Sequence, residues 1–252
     1  MKKPKRSTTI LGSITATGII IAFTVTSGWL SGDSNSTILN NVISNLVGND
    51  MGNSTNYNSD FDIPTPPNPS NLGYTISDTV LTYNNVDYSI IDVDGGNRDG
   101  DREALVAVDI GFGDRVYWGL TNKHGQLVYV LADAITLQND DKEHVNSDGR
   151  YYDDEANVPG TESPDLDQGH IIADSLGGVA NAYNITPQDS TLNRHGDQAY
   201  MEEIIRDANG CTEFVAIITY SNDSTQTPSS YHYEYILKGT KITDDFKNKS
   251  PE

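Results

Sequence analysis

Hydrophobic and polar positions change character three times along this chain. Residues Ile10 to Leu30 carry no charge, and their densest apolar stretch runs from Gly18 to Val25. A basic start, with Lys2, Lys3, Lys5 and Arg6, precedes them. A basic flank followed by an apolar run predicts an export signal over residues 1–30, and the run is also long enough to span a bilayer. Two outcomes stay open: cleavage near Val25-Thr26-Ser27, or retention as a membrane anchor with the basic flank in the cytoplasm and the remainder outside. Residues 31–72 are rich in Asn, Ser and Pro and end in the proline cluster Pro64 to Pro69. Such a tract buries too little apolar surface to offset its ordering entropy. It reads as a disordered linker, stiffened at its proline end.

Beyond it the pattern becomes that of a folded domain, expected over residues 73–246 with 247–252 as a tail. Val80 to Val93 alternates, and Asn84-Asn85 predicts a tight turn between Leu81-Thr82-Tyr83 and Val86-Asp87-Tyr88. Leu105 to Val108 and Val116 to Trp118 read as short strands, and Leu127 to Leu131 follows a turn at Asn122 to Gly125. Residues Asn139 to Leu166 are acidic and polar, a long irregular loop. Thr191 to Ala208 has helical character, with Tyr200, Ile204 and Ile205 on one side. Phe214 to Tyr220 and Tyr231 to Leu237 predict a last hairpin around Thr225 to Pro228. Strands with one or two embedded helices make an α+β domain.

Charge narrows the classes of function. The 252 residues hold 16 Lys and Arg against 36 Asp and Glu, a net charge of −20. That balance argues against coating nucleic acid through bulk charge, while leaving room for a small cationic or metal-loaded site. The single cysteine, Cys211, excludes an intramolecular disulfide and a cysteine-based zinc site within one chain. The acidic run Asp92 to Glu103 has the charge density of a calcium loop, but no register matches the EF-hand pattern. A solvated turn accounts for it.

The stretch richest in chemistry is Asp165 to Asp207. It holds Asp167-Gln168-Gly169-His170, the pair Gly177-Gly178, Asn184-Ile185-Thr186-Pro187-Gln188, Asn193, and Glu202 four residues before Arg206. His170 precedes Ile171-Ile172-Ala173 and is expected at the start of a buried strand, fixed yet able to face a cleft. Asn193 is expected to open the helix, either as a cap or as an oxygen ligand. Glu202 and Arg206 stand one turn apart and can pair. A histidine facing amide and carboxylate oxygens suits Mg²⁺, which takes oxygen ligands and keeps several waters.

This stretch resembles the DNA/RNA non-specific endonuclease family, the ββα-metal (His-Me finger) nucleases. The matching elements are D-x-G-H at 167–170, the glycine pair, N-x-x-P-Q at 184–188, Asn193 and E-x-x-x-R at 202–206. Most of the family has Arg where this chain has Gln168. The resemblance implies a central antiparallel sheet with a metal-bearing helix and the hydrolysis of DNA, with RNA as a further substrate. It implies His170 as general base and Asn193 as the ligand of one Mg²⁺, for which Mn²⁺ can substitute. Glu202, or Glu203 one register away, would orient metal-bound water, and Arg206 would pair with it or with phosphate. Asp167, Gly169 and Asn184 would support the local backbone, and Arg194 and Arg150 would contact substrate. Products would carry 5′-phosphates. With the export segment, this predicts a secreted enzyme or one tethered to the outer face of the membrane, without an obligate protein partner. Two rivals of other classes stay open. One is a surface-displayed module that binds nucleic acid or protein without turnover, and the other is a nuclease toxin with a neutralising partner.

Overall fold

Asn84 and Asn85 adopt φ values of 51° and 62°, the left-handed pair that a two-residue hairpin turn requires and that Asn tolerates. They join the first predicted strands, and the computed structural model continues from there; it describes residues 70–249. The expected export segment (1–30) and most of the expected linker (31–69) lie outside the described residues. The last three linker positions, 70–72, are tied down: Ser70 Oγ donates to Asp133 Oδ1 at 2.6 Å, and Leu72 packs against apolar core.

The strands in chain order are β1 (Thr75–Ser77), β2 (Val80–Tyr83), β3 (Val86–Ile91), β4 (Val106–Asp109), β5 (Trp118–Thr121), β6 (Leu127–Ile135), β7 (Leu166–His170), β8 (Ile185–Asp189), β9 (Cys211–Tyr220), β10 (Pro228–Leu237) and β11 (Thr240–Lys247). Two helices follow β8 directly: α1 (Ser190–His195) and α2 (Asp197–Asp207). Nine strands form one sheet in the order β1-β2-β3-β4-β5-β6-β9-β10-β11. It is antiparallel except where β3 runs parallel to β4. Two apolar clusters pack on it. The larger includes Val130, Phe214, Tyr231, Tyr233 and the helix residues Leu192, Met201 and Ile205. The smaller includes Leu81, Trp118, Leu120 and Leu131. Consecutive β6 residues, Val130 and Leu131, fall in different clusters, as the two-residue side-chain period of a strand demands.

β7 and β8 stand apart from the large sheet as an antiparallel pair, registered from Leu166 opposite Asp189 to His170 opposite Ile185. The chain therefore passes strand, strand, helix within the stretch that holds the motifs. Gly169 is needed at this crossing: a Cβ there would lie 2.3 Å from Gln188 Oε1 and 2.5 Å from Gln188 Cβ, and Gln188 is fully buried.

Several expectations need correction. His170 closes β7 rather than opening a strand, because the ladder with β8 lies on its N-terminal side. The helical stretch is two helices broken at Gly196, whose φ and ψ of −98° and −157° are extended. Its packed face is Gln198, Met201 and Ile205, whereas Tyr200 is 40% exposed. The folded region also continues past 246. Lys247 pairs with Ser230, and the Asn248 amide donates to Pro187 O and Pro228 O, both at 2.9 Å, while accepting from Asp189 N. Residues 139–165 form no helix or strand, as expected.

Candidate active site

Helix α1 starts one turn earlier than Asn193. Asp189 is its cap, accepting from the N–H groups of Thr191 and Leu192 at 3.0 Å. Asn193 is thus released from the capping role and sits inside the helix. Its amide N–H donates to Asp167 Oδ2 at 3.1 Å. That bond orients the side chain, and no donor among the described residues meets its amide oxygen. Asp167 also holds Arg194, at 2.7 Å to Nε and 2.5 Å to Nη2. Arg194 was expected to touch substrate; here its guanidinium is committed to Asp167.

The cavity lined by Asn193, Asp167, Gln168, Arg194 and Glu155 has a volume of about 330 Å³. Glu155 connects it to the histidine. Its Oε1 lies 3.7 Å from His170 Nδ1 and is ion-paired with Arg150. Arg150 was expected to contact substrate; here its guanidinium is paired with Glu155 beside the histidine. On the other ring nitrogen, His170 Nε2 is 3.6 Å from Asp174 Oδ2. The ring is 11% exposed. Burial, the largest influence, pulls its pKa down to about 4, with Asp174 opposing the fall and Arg150 adding to it. The imidazole is neutral at pH 7, the form that accepts a proton.

Gln168 donates Nε2 to Ala156 O at 3.1 Å and to Asn157 Oδ1 at 3.2 Å. It clamps the loop that carries Glu155 onto β7, a task for an amide with two N–H groups rather than for a charge. Asn184 acts as a second clamp. Fully buried, it accepts from Ile172 N at 3.0 Å and donates to Ile172 O and Val179 O at 2.8 and 2.7 Å. Gly178 makes that possible, since a Cβ there would sit 2.0 Å from Ile172 O.

Glu202 reaches the histidine through Gln198. The Gln198 amide donates to Glu202 Oε1 at 2.9 Å and to His170 O at 3.5 Å, and accepts from Tyr233 OH at 2.8 Å. Burial raises the Glu202 carboxyl to about 7, against the lowering influence of Gln198 and Arg206. Glu203 is exposed on the outer face, so of the two candidates Glu202 is the one joined to the site. The expected Glu202–Arg206 ion pair does not form within 4 Å among the described residues. Arg206 Nη1 instead donates to Ser175 Oγ at 3.3 Å.

Glu155, Asp174 and Gln198 were not singled out in the sequence. Asp174 has a local signal, four residues after His170 and just before the glycine pair. Glu155 has none, lying in a loop full of carboxylates, and Gln198 looks like any polar helix residue.

Among the described residues no group of three His, Cys, Asp or Glu side chains is arranged to cage a metal. A cation that requires one or two protein oxygens and keeps its waters fits the Asn193 amide oxygen; a thiolate- or imidazole-loving metal does not.

Residues 115–239 match the family model described as DNA/RNA non-specific endonuclease. Through these residues the chain belongs to that endonuclease family. Every motif that the site is built from, from Asp167 to Arg206, lies inside the endonuclease match. Two solved structures are similar to the chain. NucA from Streptococcus agalactiae with no metal bound is 16% identical at a TM-score of 0.40, covering 71% of this chain and 84% of that one. NucA from the same organism with magnesium ion bound is 16% identical at 0.41, covering 71% and 85%. Among curated proteins none matches.

Proposed function

We propose that this chain is an exported, metal-dependent endonuclease that hydrolyses phosphodiester bonds of DNA, and of RNA where the cleft admits it. The observation that carries the reading is the convergence of a buried, neutral His170 with the Asn193 cavity through Glu155. Family membership supports nuclease chemistry, and NucA with its magnesium ion supports the choice of metal.

In this reading His170 takes a proton from water. The water oxygen bonds to phosphorus as the P–O3′ bond breaks, and the departing 3′ oxygen takes a proton from solvent, leaving a 5′-phosphate and a 3′-hydroxyl. Asn193 is the residue that would hold Mg²⁺ or Mn²⁺, with water completing the shell. When bound, the ion supplies positive charge that stabilises the phosphoryl oxygens and the departing 3′ oxygen. Asp167 sets the Asn193 amide, and Gln198 sets Glu202 beside the His170 backbone. Arg150 neutralises Glu155, which would otherwise repel a phosphate. The net charge of −20 is tolerable because charges beyond about 8 Å are largely screened at physiological salt. Residues 1–30 belong to the same proposal as an export signal or outer-face anchor, with 31–69 as the tether.

Digestion of plasmid DNA with Mg²⁺, with and without EDTA, tests the reading. We expect nicking and linearisation that EDTA abolishes, and a loss of about 10²–10⁴-fold on H170A, the usual contribution of a positioned base. An H170A protein that cuts at the wild-type rate refutes the assigned base. A folded wild type that binds DNA without cutting it replaces the enzyme with a binding module.

A further inference from the structure

The two nitrogens of His170 meet different surroundings. Nδ1 faces Glu155, a residue of the Asn193 cavity whose charge is offset by Arg150. Nε2 is buried, has no hydrogen-bond partner, and lies 3.6 Å from Asp174 Oδ2. Asp174 itself is held firmly. Its Oδ1 accepts from Tyr151 N at 3.2 Å, its carbonyl accepts from Gly177 N at 2.8 Å, and Arg150 Nε stands 3.8 Å from Oδ2.

A neutral imidazole has one N–H and one lone pair, on different nitrogens. A lone pair at Nε2 would point at a carboxylate where water cannot intervene, and is repelled; an N–H there is attracted. Arg150 touches both carboxylates but pairs more closely with Glu155 than with Asp174, so it weakens the repulsion more at Nδ1 than at Nε2. Nε2 is sealed from solvent, whereas Nδ1 is turned toward Glu155, which lines the Asn193 cavity, so the Nδ1 edge is the one on which a proton can be taken.

Resting on the nuclease reading above, we propose that Asp174 is a positioning residue, whose carboxylate holds His170 in the Nε2–H tautomer and leaves the Nδ1 lone pair facing the Asn193 cavity. The proton lost by water goes to Nδ1, while the Nε2 proton stays on the ring throughout. As the ring becomes positive, the 3.6 Å separation closes to a hydrogen bond, a tightening common between resting and reacting sites.

The test is nitrogen-15 NMR of the full chain labelled with ¹⁵N-histidine, the His170 signals being those absent from H170Q. This reads the tautomer without catalysis. The expected result is the Nε2–H form in the wild type and a shift toward the Nδ1–H form in D174N. An Nδ1–H ring in the wild type overturns the proposal, whether or not any variant folds. On plasmid DNA with Mg²⁺, D174N lowers kcat by about 10²-fold while KM holds. Its acid limb moves to lower pH, since the carboxylate that favours the protonated ring is gone, and D174E restores part of the rate. A folded D174N with unchanged kcat and acid limb also overturns it. A wild type that never cuts refutes the nuclease reading instead, while the NMR signal still decides the Asp174 assignment.

Discussion

Asp167 holds Asn193 and Arg194 at once, with one carboxylate oxygen shared between the Asn193 amide and Arg194 Nε and the other given to Arg194 Nη2. The aspartate of the D-x-G-H motif thereby connects β7 to helix α1, the strand of the proposed base to the helix of the proposed metal ligand.

Replacing it should separate metal binding from stability. D167A frees the Asn193 amide to rotate, and the Mg²⁺ concentration for half-maximal cleavage rises by about 10–100-fold, the usual effect of losing a group that orients a ligand. Stability moves by at most about 1 kcal/mol, because the Arg194 partner is 62% exposed and exposed ion pairs contribute little. Mg²⁺ titration of cleavage and chemical denaturation of the same protein check both halves; an unchanged Mg²⁺ requirement contradicts the orienting role.

Glu202 and His170 should impose opposite pH dependences on folding. The Glu202 carboxyl is raised to about 7 from 4.5, so the folded state binds its proton more tightly than the unfolded chain does. That stabilisation is complete below pH 4.5 and is lost as pH rises through 7. The His170 imidazole is lowered to about 4 from 6.5; its contribution is complete above pH 6.5 and is lost as pH falls toward 4. The thermal midpoint of the wild type should therefore fall relative to that of E202Q as pH rises from 4.5 to 8. Parallel curves would mean that the carboxyl titrates normally.

Asn184 should matter to the fold before it matters to the chemistry. N184A strips three buried backbone groups of their partners, at a cost of about 3 kcal/mol or more if each goes unsatisfied. The denaturant midpoint drops accordingly, and cleavage falls with it, because Ile171-Ile172 anchors the end of β7. A midpoint shift of only a few tenths of a kcal/mol would show that the loop repairs itself.

Gly169 is a packing requirement. G169A forces Gln188 away from the strand crossing, where Gln188 is fully buried. Overpacking of this kind costs about 1–3 kcal/mol, measurable by urea unfolding, with a matching fall in activity.

Salt should affect DNA binding only weakly. Arg102 gives its guanidinium to Ala182 O, Ile185 O and Gln226, and Arg115 gives its own to Glu143 and backbone carbonyls. With Arg150 and Arg194 also paired, four arginines among the described residues are already committed to protein partners and are not free for phosphates. The slope of log K against log salt, about −0.9 per phosphate neutralised, should stay well short of that of proteins making 6–10 such contacts. A steep slope would point to a basic groove formed by other residues.

The sequence by itself determined the local decisions. The Asn84-Asn85 turn, the strand at Leu127, the irregular acidic loop and the helical stretch before Ala208 all follow from φ preferences, side-chain period and turn residues acting over a few positions. The ordered motifs from Asp167 to Arg206 identified the family and singled out His170, Asn193, Asn184 and Glu202 as candidates. Only the tertiary structure decided what meets across distance. Glu155 and Arg150 reach His170 because an irregular loop folds back over β7, held there by Gln168 bonds to backbone atoms that have no signature in sequence. Tyr233 reaches Gln198 from a strand 35 residues downstream in the chain. Arg194 binds Asp167 rather than remaining free, and Arg206 turns to Ser175 rather than Glu202. Such pairings depend on where folded elements come to rest, and helix or strand periodicity says which face a side chain occupies but not which partner waits there.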